Sequence, residues 1–476
     1  MAEQDGLTVK KNEDFSEWYT QVVVKAQLAD YSAVHGCMVI RPHGYGIWEN
    51  IQKIFNVRLK ELGVKNAYFP LFIPESFFKK EASHVEGFKA EVAWIERKDD
   101  QEERVAVRPT SETIMYDSYS RWIRSWRDLP LLINQWANVV RWEIKQTKLF
   151  LRTREFLWQE GHTVHETEKE CDEETMRMVH EYKEFCEKQL AIPVIAGKKT
   201  ESEKFPGAVY TTTIESFTPE GKAAQCGTSH NLGQNFAKTF NITFLGRDEG
   251  MHFGYQTSWG FSTRLIGTLV MIHGDDKGLI LPPRITPVHV VIVPIIFDKT
   301  KDAVLKKAQE VKAMLEGYDV VIDDRDNYSA GWKFNEWELK GVPIRIEIGP
   351  KDLDKDQVMM VRRDTGEKEA VKTLTVRDTV DSLLEDIQQN LFNKAKEFLE
   401  KSIVRPNNFT EFQKGIEERK FVFAFHCADE TCEADIKNKT TATARVIPFE
   451  QENVQNASCI HCGKKAKYSV YFGKAY

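Results

Sequence analysis

The chain has no run of about eighteen apolar residues, the length that a membrane-crossing helix needs, so none is expected. Its opening stretch, MAEQDGLTVKKNEDF, is polar and lacks the apolar centre of a secretory signal, so none is expected there either. Positive charge is not in excess. The formal net charge is −6, which excludes a globally basic nucleic-acid binder and leaves any RNA contact to local patches. There is no Walker A loop, no internal repeat and no low-complexity tract, which sets aside P-loop, solenoid and disordered classes. Cysteine is sparse through most of the chain: Cys37, Cys171, Cys186 and Cys226 are scattered, and Cys427, Cys432, Cys459 and Cys462 cluster late. That distribution is no disulfide framework. It fits a reducing compartment, the cytoplasm, with one metal site.

What is present suits a globular protein. A length of 476 residues implies about three domains. Hydrophobic residues make up 41%, enough for ordinary cores. Asp14 to Val34 reads as a helix, with Phe15, Trp18, Tyr19, Val22 and Val23 at helical spacing. Gly44 to Leu62 reads as a long amphipathic helix stopped by Gly63. Asn66 to Ile73 reads as a strand, placed at an edge by Pro70. Asp117 to Arg127 and Glu166 to Leu190 read as helices, and Tyr210 to Ile214 as a strand. The proline-rich Leu281 to Pro287 is a boundary. Beyond it, apolar strands alternate with helices, the pattern of a mostly parallel sheet covered on both faces. A last segment begins near Arg405, with a short helix from about Glu411 capped by Thr410. The strand FVFAF and the aromatic end YSVYFGKAY follow.

Between Arg141 and His162 runs RWEIKQTKLFLRTREFLWQEGH, read as strand, polar loop and strand. Its arginines suit a polyanion, because a planar guanidinium gives two parallel hydrogen bonds to phosphate. Upstream stands Arg108-Pro109-Thr110-Ser111-Glu112. Downstream stand Gln225-Cys226-Gly227-Thr228-Ser229-His230 and Gly260-Phe261-Ser262-Thr263-Arg264. In this order and spacing the motifs resemble those of class II prolyl-tRNA synthetases of the archaeal and eukaryotic-like type. The resemblance extends from about Asp14 to Tyr476. It implies an α+β fold in three parts. Residues 1–285 would form a class II catalytic domain on an antiparallel sheet. Residues 286–402 would form an α/β anticodon-binding domain, and residues 403–476 a small zinc-binding α+β domain. The activity implied is activation of L-proline with ATP and transfer of proline to tRNA(Pro). A homodimer built through motif 1, the long helix and the strand after it, is implied as well.

Activation is attack of a carboxylate on the α-phosphate of ATP. The nucleophile is already ionised, so catalysis should come from positioning and charge neutralisation, which calls for arginines. By the resemblance, Arg141 and Arg264 are the catalytic pair, with Arg141 on the α-phosphate and the substrate carboxylate. Glu143, Arg152, Thr153, Gln225, Thr228 and Ser262 join them around ATP. Magnesium accompanies ATP, with Glu215 a candidate ligand. Thr110 and Glu112 would accept from the secondary ammonium of proline. Phe88, Trp158 and Phe205 would wall its ring, with Glu160, His162 and His230 completing the pocket. Glu338, Arg345, Lys351 and Asp352 are the candidates for reading the anticodon, whose two guanines suit Arg, Lys or a carboxylate. The threonyl enzyme, which holds an active-site zinc through a cysteine, is the nearest competitor. This chain has RPTSE where that cysteine motif belongs.

The late cysteines stand without the resemblance. C-x4-C at Cys427 and Cys432, then C-x2-C at Cys459 and Cys462, is a four-thiolate set for a closed structural zinc. The aromatic tail after it is expected to pack on the catalytic domain, with Tyr476 near the active site.

Overall fold

The computed structural model describes residues 6–82, 91–97 and 102–476. The first helix, Phe15–Lys25, buries Trp18, Tyr19, Val22 and Val23, and Asp14 caps it by accepting the Glu17 N–H. It stops well short of Val34. Gln27 takes a left-handed φ of 60°, and the chain turns into a strand, Ala29–Tyr31. Pro42–Glu61 is the long helix. Pro42 opens it, where no N–H is needed, and Ile47, Trp48, Ile51, Phe55 and Leu59 bury its inner stripe. The strand expected over Asn66 to Ile73 is two short pieces, Lys65–Asn66 and Phe72–Pro74. Pro70 falls between them, because it has no N–H for a ladder. The expected helix Asp117 to Arg127 begins earlier, as Glu112–Trp122, and leaves only a single turn at Trp126–Asp128.

The centre of the molecule is one sheet of eleven strands among the described residues. Glu155–His165 lies antiparallel between Leu131–Val140 and Tyr255–Ser262. Tyr255–Ser262 pairs on its other side with Lys222–Gly233, and that strand with Tyr210–Phe217. Helix Glu168–Lys188, capped by a Thr167/Glu170 box, covers one face of these strands. Its Tyr182 and Phe185 meet Phe55 and Phe261 at centroid distances of 5.1–5.7 Å. Helix Arg264–His273 closes the same core. Gly161 is obligatory here, since a Cβ would run into the Trp259 ring.

The late segment does not stand apart from this sheet. Ile195–Lys198 pairs with both Tyr210–Phe217 and Thr443–Pro448. Thr443–Pro448 pairs with Tyr468–Ala475, which returns to pair parallel with Lys222–Gly233 through Lys222↔Lys474 and Ala223↔Ala475. These five strands close a ring, three from the middle of the chain and two from its end. The helix Phe409–Glu417 is capped by Asn408, whose side chain accepts the Glu411 N–H, not by Thr410.

The α/β part has its own core and a sheet of five strands. Val320–Ile322, Val290–Pro294 and Ile344–Ile348 are parallel, as expected. Gln357–Arg362 and Lys368–Lys372 add an antiparallel hairpin at one edge. Helix Val376–Ser402 closes this part.

Candidate functional site

A cavity of about 330 Å³ opens on the central sheet. Strand alternation builds one wall: Phe156, Trp158, Glu160 and His162, two residues apart on Glu155–His165, all line it. Glu160 and His162 are almost fully buried. Ser111 Oγ and Gln135 Nε2 donate to Glu160 Oε1 at 2.5 and 2.9 Å. His162 Nε2 lies 3.1 Å from Glu160 Oε2, and its Nδ1 lies 3.0 Å from the Tyr116 hydroxyl. Burial opposes charge on His162, but the Glu160 hydrogen bond and the Glu112 and Glu160 charges outweigh it, and its pKa is raised. His230 has no such carboxylate. Burial drops it to about 3, so it is neutral, with Nδ1 2.9 Å from Thr211 Oγ1 and its ring 4.7 Å from that of Phe205.

Thr110 donates to Glu112 at the start of helix Glu112–Trp122, and both line the cavity. Two arginines line the same cavity. Arg141 follows strand Leu131–Val140, donates to the Pro109 carbonyl at 3.4 Å, and lies over Phe156 and Trp158 at 5.4 and 5.8 Å. Arg264 opens helix Arg264–His273 and donates to the Leu151 carbonyl at 3.1 Å. Burial lowers both pKa values, and the charge of Arg141 lowers that of Arg264 further. A guanidinium stays charged regardless. Neither has an ion-pair partner among the described residues. Two buried cations that repel one another favour an anion between them. Trp158 Nε1 and Ser258 Oγ, buried beside the cavity, also lack hydrogen-bond partners among the described residues.

Of the residues expected here, Thr110, Glu112, Arg141, Trp158, Glu160, His162, Phe205, Gln225, Thr228, His230, Ser262 and Arg264 line this one cavity. Glu143, Arg152 and Thr153 do not. Arg152 is exposed, and Thr153 donates to the Glu155 carbonyl at 2.8 Å. Phe88 lies outside the described residues. Glu215 does not stand free for magnesium: it is fully buried, 2.7 Å from Lys199 Nζ and 3.0 Å from Arg445. Phe156, Lys199 and Ser258 line the cavity without having been singled out. Phe156 was within reach, being one strand period before Trp158. Lys199 and Ser258 carry no sequence signal.

In the α/β part, Arg345 bonds Glu338 and Glu347, both at 3.1 Å, and Glu338 and Arg345 share a small cleft with Trp337. Lys351 and Asp352 lie in helix Pro350–Asp354. Asp352 caps that helix by accepting the Gly349 N–H at 2.9 Å. Near the chain end, Sγ of Cys432 and Cys459 are 3.7 Å apart, and Sγ of Cys427 and Cys462 3.5 Å. Four thiolates at about 2.3 Å from one zinc stand about 3.8 Å from each other, so the set fits. His426 was not expected, yet its ring joins Cys427, Cys432 and Cys459 within 4.8 Å. Its Nδ1 accepts the Ala428 N–H at 3.2 Å, and Cys462, paired with Cys427, lies outside that group of four.

Residues 88–273 match the family described as tRNA synthetase class II core domain (G, H, P, S and T). Residues 289–385 match an anticodon binding domain, and residues 409–476 a prolyl-tRNA synthetase C-terminal domain. The chain is 52% identical over 472 residues to a proline–tRNA ligase of Natranaerobius thermophilus, covering 98% of this chain and 97% of that protein. It is 51% identical over 477 residues to proline–tRNA ligase 2 of Bacillus cereus, covering 100% and 99%. A crystal structure of prolyl-tRNA synthetase from Cryptosporidium parvum, complexed with halofuginone and AMPPNP, superposes with a TM-score of 0.95 at 45% identity, over 99% of this chain and 100% of that one.

Proposed function

The chain belongs to the class II prolyl-tRNA synthetases, and from that premise we propose how its own residues carry the reaction. It is a ligase that activates L-proline with ATP and transfers proline to tRNA(Pro). A proline carboxylate oxygen attacks the α-phosphorus of ATP, and the bond to pyrophosphate breaks. A ribose hydroxyl at the tRNA 3′ end then attacks the prolyl carbonyl and releases AMP. No general base is needed in the first step.

Arg141 is the α-phosphate and carboxylate donor and Arg264 the donor farther along the triphosphate. Gln225, Thr228 and Ser262 border the same space, and Glu143, Arg152 and Thr153, outside that lining, would complete the ATP set from the stretch between Arg141 and His162. Thr110 and Glu112 accept from the proline ammonium. Trp158 and Phe205 wall the ring, with Glu160, His162 and His230 behind. The observation that supports this reading is that two guanidiniums without an ion-pair partner among the described residues line one cavity with Thr110 and Glu112. Magnesium bound with ATP would offset phosphate charge, usually keeping several waters. Zinc held by Cys427, Cys432, Cys459 and Cys462 would be structural, since a four-thiolate shell leaves no open position.

The subtype is the archaeal and eukaryotic-like one. What supports it is the matched C-terminal domain and the compact connection from Glu166 to Gly221, which holds one helix and two strands and no inserted domain. The two ligases of Natranaerobius thermophilus and Bacillus cereus are bacterial, so the type describes domain architecture. The three domains divide near residues 285 and 402. The working form is a cytoplasmic homodimer. Exposed Tyr45 and Val57 on helix Pro42–Glu61, with Tyr68 at 72% exposure beyond it, support an interface there. No described helix is long and apolar enough to cross a membrane.

Proline-dependent pyrophosphate exchange tests the whole reading. Arg141→Ala should lose about a hundredfold or more, the usual cost of one donor to developing charge. Activity within about tenfold of wild type would sink the assignment of Arg141.

A further inference from the structure

Inside the five-strand ring lies a charged cluster that the reaction above does not use. Glu215 sits at no exposure on strand Tyr210–Phe217. Lys199 Nζ donates to its Oε1 at 2.7 Å and to the Arg445 carbonyl at 2.8 Å. Arg445, from strand Thr443–Pro448, donates to both carboxylate oxygens at 3.0 to 3.3 Å. Burial works against the Glu215 charge, and Arg445 and Lys199 together outweigh it and hold its pKa below the ordinary value. So three charged groups, two on strands and Lys199 just past the end of a third, are desolvated in one place. Such an arrangement is seldom a gain in stability over apolar packing of the same volume.

The cluster has an outlet toward the substrate cavity. Thr213 Oγ1 donates to Glu215 Oε1 at 3.2 Å, and Gln225 Nε2 reaches Thr213 Oγ1 at 3.5 Å. Gln225 stands opposite Glu215 in the ladder, where the register shifts between Gln225 and Gly227. A bulge of this kind re-aims a side chain. Gln225 lines the main cavity, and it also lines a second one of about 260 Å³ with Lys199, Arg264, Arg445 and Tyr476.

We propose that Arg445 is a positioning residue for ATP: through Glu215 and Thr213 it fixes the amide of Gln225 at the triphosphate side of the site. The late segment of the chain thereby sets the geometry of the first chemical step. The inference rests on the reading of Gln225 as an ATP contact.

The test is steady-state pyrophosphate exchange on the full chain, with ATP and proline varied separately. Three variants are compared. Arg445→Met leaves Glu215 paired with Lys199, so no lone buried charge remains. Thr213→Val breaks the relay at its middle without touching a charge. Gln225→Ala removes the endpoint. Each should raise KM for ATP about tenfold, the cost of one lost hydrogen bond to a charged group. KM for proline, melting temperature and zinc content should stay near wild type. Arg445→Lys, which keeps charge but loses the fork, should recover part of the loss. If Gln225→Ala moves ATP kinetics and both Arg445→Met and Thr213→Val leave them alone, the relay is overturned and the ATP reading stands. If Gln225→Ala leaves them unchanged, both fall. A Arg445→Met protein that melts early is decided by Thr213→Val alone: unchanged ATP kinetics there mean that the cluster only holds the ring together.

Discussion

At the scale of single residues, the most informative pair is Glu160 and His162. They face each other at 3.1 Å with almost no exposure, and His162 has its pKa raised by Glu160 and Glu112 against the opposing effect of burial. A raised folded value means that the pair's stabilisation is fully present below the ordinary imidazole value of 6.5 and is lost as pH rises through the folded one. His162→Gln should therefore be most destabilising in acid and progressively less so toward alkaline pH. Melting curves of both proteins from about pH 5 to about pH 9 read this directly. A difference in melting temperature that is flat or widens with pH would contradict it. Arg141, Arg264, Thr110 and Glu112 were legible in the sequence because each sits in a motif whose chemistry demands it. Lys199 and Ser258 were not. Lys199 follows a strand without a motif and Ser258 precedes the Gly260-Phe261-Ser262 motif on its strand, and they reach the cavity only because of what those strands pair with.

At the scale of elements, the sequence was read well where one periodicity ran long and less well where a turn decided. Helix Pro42–Glu61 lies within two residues of the expected Gly44 to Leu62 because an apolar stripe ran its full length. The first helix was overextended, since nothing in the residue type of Gln27 announces its left-handed φ. The C-terminal helix was given the wrong cap because Asn408 and Thr410 are both capable oxygens, and only the backbone chooses between them. Two elements carry predictions of their own. In the cleft shared by Glu338 and Arg345, Glu338→Ala should lower kcat/KM for tRNA by roughly ten- to a hundredfold, the value of about one specific base contact. Pyrophosphate exchange should not change. Equal loss in both assays would mean that the Arg345–Glu338 bond only supports folding. In the cysteine cluster, Cys462→Ser should reduce bound zinc from about one per chain and lower the melting temperature by several degrees, because ligand loss is loss of folding free energy. Full zinc occupancy in that variant would shift the ligand set toward His426, which lies in the same cluster.

At the scale of the whole molecule, the closing of the five-strand ring matters most: the resemblance implied that the tail packs on the catalytic domain, but not the strand pairing by which it does so. Strand pairing between Lys222–Gly233 and Tyr468–Ala475 joins segments far apart in sequence, and no local pattern encodes such a partner. Its consequence is that the end of the chain becomes part of the catalytic architecture. The Tyr476 hydroxyl lies 2.9 Å from Thr218 Oγ1, its ring packs against the catalytic core, and the residue borders the cavity that also holds Gln225 and Arg264. Burial and the neighbouring Glu220 charge hold its phenol far above the ordinary range, so it acts there as a neutral hydrogen-bonding group. Deleting Tyr476 removes one contact at the rim of the ring while leaving the Tyr468–Ala475 ladder and all four cysteines in place. Proline activation should then fall by about tenfold to a hundredfold, the range expected when a supporting group lets reacting groups drift by about 1 Å. Zinc content and melting temperature should stay near wild type. Unchanged activation would show that Tyr476 only fills space beside the core. A matching fall in melting temperature would show that the ring needs its last residue to close.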